Sequence, residues 1–491
     1  MDLAPVLGFW AFVLLALIGD GRGLVYLLFA SLPFGSFAVV PPAITGGLTF
    51  SPATMVSLIF SARVLLTPQS LGVVREAAYD FRRLGLLMLF WCTAVVVTLF
   101  APRLFAGRVE VIEMRATLLV LRSVALQPTT QNITQLCYLT VSVGTTLAFA
   151  SALSRPGWWK TILQAMLLGG VVTIVTGLMD MAPPLSAVLA PFRTATYALL
   201  TDVEVMGVKR LVGLMPEASA YGALCVGFVA PLHFLGPLIQ DSWLRERVRP
   251  VVVLGLVAMA ALSTSSAAFV ALAVFTAIAV LEWGWRLLNA QTGRTADLAR
   301  LGREAWFGLI VGCAGVLALI VNPDIARPGL EMLDQMVFQK TASSSFAERS
   351  MWTAVSWHAL WQTYGVGVGL GGTRASNAFV AIASNTGVLG ATFFYGFVLW
   401  HLLRPLPRAL GPARSAATGA RWALAPGFTV GLLVGTSANF GVMGALYFAI
   451  LAMAVPALAR SAARGRQLTD LRAYRQGGSR DSGGSGTWVA S

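Results

Sequence analysis

The chain has 491 residues, of which 57% are hydrophobic and only 11% charged, with a mean hydropathy of +0.75. That balance excludes an ordinary soluble globule, in which roughly a quarter of residues carry charge. The formal net charge of +14 comes mostly from arginines placed between apolar runs, so it does not mark a nucleic-acid-binding surface.

A bilayer core of ~30 Å takes ~20 apolar residues to cross as a helix. Apolar runs recur at 5–19, 23–40, 51–66, 84–101, 136–154, 158–178, 218–239, 250–262, 266–285, 305–321, 376–403, 425–440 and 442–458. They predict an all-α polytopic membrane protein with about 12–14 transmembrane helices. The alternating ten-residue pattern of an outer-membrane barrel is absent from the sequence. The N-terminal run lacks a cationic flank and a cleavage site, so it is expected to remain as the first helix. The segment 103–135 is ambiguous, because Arg103, Arg108, Glu110, Glu113, Arg115 and Arg122 surround a short apolar piece. Cys92, Cys137, Cys225 and Cys313 lie in apolar runs without CxxC spacing. His233, His358 and His401 are scattered, so neither disulfides nor a metal centre is expected.

Arginine clusters orient the second half. Arg245, Arg247 and Arg249 form one cytoplasmic loop, and Arg286, Arg294, Arg300 and Arg303 a second. Arg404, Arg408, Arg414 and Arg421 form a third, and Arg460, Arg464 and Arg466 open the tail. The segments 179–217 and 322–375 then face outward, the latter with four basic and four acidic residues. Residues 1–476 are expected to form one transmembrane domain, and the glycine- and serine-rich stretch 477–491 a disordered tail.

Both outward segments carry candidate binding residues. The first ends in Lys209, Arg210 and Glu217 just before a helix. The second holds Glu348 and Arg349 on a Trp-rich helical stretch, the turn Gly365–Gly372 with Gly367 and Gly369, then Arg374, Ser376 and Asn377. Arginine forks match phosphate oxygens in bidentate geometry, so arginines from two separate loops suit a pyrophosphate. An arginine flanking a span also serves as an interfacial anchor, and Arg374 fits both uses. The glycine turn would let backbone N–H groups approach an anion or a sugar. Trp352, Trp357 and Trp361 fit an interfacial belt and equally fit stacking on sugar rings.

The order of these motifs resembles the O-antigen ligase and Wzy-type polysaccharide polymerase superfamily. The matching residues are Arg349, Trp352, the run Gly365-Val366-Gly367-Val368-Gly369, Ser376-Asn377, and Gly387-Val388-Leu389-Gly390. Upstream, Arg210-Leu211-Val212-Gly213 with Pro216-Glu217, and the turn Leu262 to Ser266, complete a likeness over roughly residues 205–405. The resemblance implies a GT-C-like helical fold and a metal-independent, cofactor-free glycosyltransferase of the bacterial inner membrane, with its site facing the periplasm. Its substrate would be an undecaprenyl-diphosphate-linked glycan, and a chain-length regulator or flippase of the same pathway would be its protein partner. No nucleic acid is implied. Arg210 and Arg349 match the arginines thought to hold the donor diphosphate, with Lys209, Trp352, Gly367, Gly369, Arg374, Ser376 and Asn377 around the substrate. Ligases carry a histidine where this chain has Ser376, just before the asparagine. That departure favours a polymerase and leaves Glu217 and His358 as candidate general bases. A ligase of the same fold is the alternative, and a lipid-linked glycan flippase or secondary transporter is the second. A transporter would carry internal repeats and mid-membrane charges, which this sequence lacks.

Overall fold

The computed structural model describes residues 3–41, 44–45, 49–114, 123–205, 208–288, 301–302, 304–306, 308, 344–406 and 412–453. Most of the expected span at 305–321, the first part of the loop 322–375 (residues 322–343), and the tail 477–491 lie outside the described residues, as does Cys313. What is described is mostly helical, with almost no sheet. In chain order it runs α1 (Leu3–Leu17), α2 (Arg22–Ser31), α3 (Pro52–Leu65), α4 (Pro68–Tyr79), α5 (Gly85–Leu104), α6 (Thr130–Leu153), α7 (Trp158–Met181) and α8 (Pro183–Leu189). Next come α9 (Ala218–Phe234), α10 (Arg249–Leu262), α11 (Ser266–Leu288), α12 (Ser344–Gln362), α13 (Ala378–Leu403), α14 (Pro412–Val434) and α15 (Gly441–Met453). Two-residue strand pairs decorate the bundle: β1 (Glu110–Val111) with β2 (Val124–Ala125), and β3 (Glu204–Val205) with β4 (Val208–Lys209).

Among the described residues five helices are long and apolar enough to cross a membrane: α5, α6, α7, α11 and α13. The pair α3 and α4, bent by 103°, makes a sixth candidate. The expected count of 12–14 is not reached there, and rise per residue explains much of the shortfall. Apolar helices of 10–17 residues (α1, α2, α9 and α15) extend only ~15–26 Å at 1.5 Å per residue, short of ~30 Å. The run 23–40, for instance, gives a ten-residue helix followed by irregular, largely buried chain. A second correction concerns 425–440. The helix there starts instead at Pro412, where proline suits the first turn and an alanine-rich stretch favours helix. Arg414 and Arg421 therefore sit on α14 rather than in a loop. Arg421 Nε donates to His401 O at 2.9 Å, closing the end of α13.

The helices pack by close approach at small residues, as membrane bundles do. A Cβ at Gly169 of α7 would lie 2.6 Å from Phe228 Cζ and 2.7 Å from Phe29 O, so only glycine lets α7, α2 and α9 meet there. Fully buried Phe29, Phe60, Phe149, Tyr221 and Phe228 fill the space between them. Chain direction brings the ends of α5 and α7 to one end of the bundle, together with the starts of α6, α9 and α13. Gly369, just before α13, touches Thr98 and Pro102 of α5, and Gly371 touches Gln131 of α6. Asp180 of α7 receives hydrogen bonds from Val212 and Gly213, just before α9.

Candidate functional site

Both candidate segments reach this end of the bundle. In the first, Arg210 N donates to Val203 O at 3.1 Å, fixing the residue at the foot of the β3–β4 pair. The following residues Leu211–Leu214 are buried and lead to Glu217 at the start of α9. Glu217 does not cap its own helix through its side chain; its carboxylate is exposed and accepts from Ser219 Oγ.

In the second, α12 buries Trp352, Ser356, Ala359 and Leu360, an i, i+4, i+7, i+8 stripe along one face. Residues 373–376 are stitched between this face and the rest of the bundle. Arg374 N donates to Ile112 O at 3.0 Å, and Ser356 Oγ donates to Arg374 O at 3.0 Å. Ser376 N donates to Thr353 Oγ1 at 3.2 Å, and Thr373 N to Asn385 Oδ1 at 3.4 Å. The backbone that carries Arg374 is thus held on both sides. Its guanidinium carbon lies 4.0 Å over the ring of buried Trp352.

Electrostatics tie the two segments together. Burial pulls the Arg374 guanidinium below its ordinary range; Glu348 and Glu217 oppose that shift and Arg349 adds to it. Burial likewise lowers Arg210, with Glu217 opposing. Arg210, Arg349 and Arg374 therefore share one neighbourhood with Glu217 and Glu348, three cations against two carboxylates. Like charges at Arg349 and Arg374 are held together by the fold. Two buried donors, Arg210 Nε and Trp352 Nε1, meet no acceptor among the described residues. Buried N–H groups are nearly always paired, so these two call for an acceptor-rich ligand.

Several expected residues take other roles. Most N–H groups of the glycine turn are bonded within the bundle. Gly365 donates to Leu360 O, Gly367 to Thr363 Oγ1, Val368 to Ser384 O, Leu370 to Thr98 Oγ1 and Gly372 to Gly369 O. At Gly367, with φ of 89°, a Cβ would lie 2.6 Å from Gly387 N, and at Gly369 one would lie 2.9 Å from Pro102 Cγ. The run is rich in glycine because it packs closely against α5 and the break in α13. Asn377 spends its side-chain oxygen capping α13, accepting from Val380 N at 3.0 Å. Ser376 is buried beside it. Lys209 pairs with Asp180 at 3.2 Å and lies 3.9 Å from Asp202. His358 is exposed and follows Arg349 by nine residues, half a turn round the helix at 3.6 residues per turn. The fold does not bring it to the arginines. Trp357 and Trp361 form an exposed edge-to-face pair at 5.5 Å and do not share the buried position of Trp352.

Sequence reasoning missed Asp180. Its carboxylate is 1% exposed and accepts from Arg193 at 2.9 Å, Lys209 at 3.2 Å, and Val212 N and Gly213 N at 3.0 Å each. A lone acid in the last turn of an apolar helix is costly unless paired, and that was the available signal. Among the described residues no group of three His, Cys, Asp or Glu side chains is placed to hold a metal ion.

The fold and site together define an all-α protein of membrane-crossing apolar helices with an arginine-rich, partly desolvated cluster at one end of its bundle. No family model matches the chain, and no curated protein matches it.

Proposed function

We propose that the chain is a glycosyltransferase that joins undecaprenyl-diphosphate-linked oligosaccharide units into polysaccharide at the outer face of a bacterial inner membrane. The observation that carries this reading is the convergence of Arg210, Arg349 and Arg374 from two distant segments, in excess over Glu217 and Glu348. A diphosphate bears the complementary charge and the acceptor atoms that Arg210 Nε and Trp352 Nε1 call for.

The chemistry follows from the leaving group. An acceptor hydroxyl oxygen bonds to the anomeric carbon while the bond from that carbon to the phosphate oxygen breaks. Negative charge grows on the departing diphosphate, and the fixed guanidiniums stabilise it without reorganising. The hydroxyl proton passes to a carboxylate, for which Glu217 is the placed candidate beside both Arg210 and Arg374. Arginine placement also suits the outward orientation, since Arg22, Arg63, Arg155, Arg245 and Arg404 lie at the opposite end of the bundle.

The transporter alternative draws on the break in α13 at Gly387, with φ of 76° and ψ of 172°. Broken helices line transporter ion sites through exposed backbone groups. Here Val388 N donates to Gly365 O at 2.9 Å and the glycine turn fills the break, which weighs against that use. Gel analysis of glycans from a deletion strain tests the proposal. Single lipid-linked repeats should accumulate; long lipid-linked chains would indicate a ligase, and unchanged glycans would refute a role in either step.

A further inference from the structure

At the far end of the bundle lies a cavity of about 190 Å³ lined by Asp20, Arg63, Val64, Thr67 and Arg155. It sits where three connections meet: α1 to α2, α3 to α4, and α6 to α7. These are remote from the arginine cluster, since α3 and α7 both have their other ends at the site. Thr49, just before α3, bonds Thr196 at 2.7 Å, and Asp180 closes α7.

The cavity is built rather than incidental. Arg155 Nη2 donates to Thr67 Oγ1 at 2.8 Å and Ser70 Oγ at 2.7 Å, and Ser151 Oγ supports Ser70 at 2.9 Å. Arg63 Nη2 donates to Gly19 O at 3.2 Å. Asp20, the acidic lining residue, is paired with Arg22 at 2.9 Å. A guanidinium has five N–H donors, so Arg63 and Arg155 keep donor capacity after these bonds. Their charge is not matched by a second carboxylate in the lining.

Apolar residues flank the cavity. Ile18, two residues before Asp20, is 74% exposed, and Leu66, beside Thr67, is 82% exposed. Beyond the 103° bend, α4 and the turn after it expose Leu71, Tyr79 and Phe81 alongside Arg75 and Arg82. A cationic headgroup-sized cavity rimmed by apolar side chains, next to an amphipathic helix that bends 103° from α3 and packs against α5 and α6, is how a membrane protein holds an acidic lipid.

We propose that this cavity binds the phosphate of an anionic phospholipid, with Arg63 and Arg155 as its ligands and the acyl chains running past Ile18 and Leu66. The inference is independent of the catalytic chemistry, because it uses none of the residues of the arginine cluster. The shared chemistry is a phosphate, and the apolar rim selects a lipid over the free ion.

The test is thermal unfolding of the purified protein in neutral detergent, titrated separately with phosphatidylglycerol, phosphatidylcholine and inorganic phosphate. Phosphatidylglycerol should raise Tm saturably, while the other two should not. Arg63→Gln, at an exposed position with one hydrogen bond to lose, should weaken the apparent lipid affinity by about tenfold or more, the loss of a charged hydrogen bond. Native mass spectrometry should show less retained phosphatidylglycerol on that variant, and on Arg155→Gln if it folds. Equal stabilisation by phosphatidylcholine, or unchanged affinity in Arg63→Gln, would overturn the site. Saturation by inorganic phosphate at matching affinity would overturn the lipid as its occupant.

Discussion

Two charged clusters lie at the same end of the bundle and differ in how far their charges are matched, although each holds a buried guanidinium Nε without an acceptor, Arg193 in the first and Arg210 in the second. Asp180 is fully subscribed by Arg193, Lys209 and two backbone N–H groups. The Arg210, Arg349 and Arg374 cluster is cation-rich, holds like charges together and leaves two buried donors without acceptors. A buried charge whose partners are all internal fixes a chain segment. A cluster with unmatched donors and charge is poised for something outside the chain. Asp180 anchors the segment that carries Arg210, so the first cluster positions part of the second.

Substitutions should separate the two, beginning with the largest effect. Asp180→Ala strands the largely buried Arg193 guanidinium and two buried N–H groups, and frees the more exposed Lys209. It should cost about 3–5 kcal/mol of stability, seen as a large fall in Tm and in the amount of inserted protein. Arg210→Ala and Arg349→Ala should leave Tm and expression near wild type but lower the rate of polymer formation by about 10²–10³-fold, assayed with lipid-linked repeat units. Wild-type rates in either variant at normal protein level would return that arginine to a structural anchor. Arg374→Ala removes the stack on Trp352, worth about 1–2 kcal/mol. The expected result is a fall in folding stability of that size, read as a lower Tm, with a partial loss of polymer output. His358→Ala, on the far face of α12, should change stability by no more than about 0.5 kcal/mol and leave polymer output unchanged. A collapse of activity there would make His358 the general base after all.

Much of the frame was legible in the chain. Hydropathy gave the helical membrane class, and the starts of α9, α10, α11 and α13 fall within two residues of the apolar runs. The two candidate segments and their arginines were visible because charge is rare in such a sequence. The packing role of the glycine turn was not legible, since several of its N–H groups are bonded to partners such as Thr98, 272 residues from Leu370, which local pattern does not reveal. The same holds for Asp180, whose partners arrive from 13 to 33 residues further along the chain, past α8 and the β3–β4 pair. Spacing placed Trp352, Trp357 and Trp361 on one segment, but only the packing of Arg374 singles out Trp352. Helix length was overread wherever an apolar run ends in irregular buried chain, as after Ser31.

The most direct measurement is binding of a polyprenyl diphosphate to the purified protein, compared with the monophosphate and across Arg349→Ala and Arg349→Lys. Guanidinium recognition predicts tighter binding of the diphosphate by wild type, with that preference lost in Arg349→Ala and largely lost in Arg349→Lys, which keeps charge but not the bidentate fork. Equal affinity for the two lipids, or a diphosphate affinity untouched by Arg349→Ala, would contradict the account.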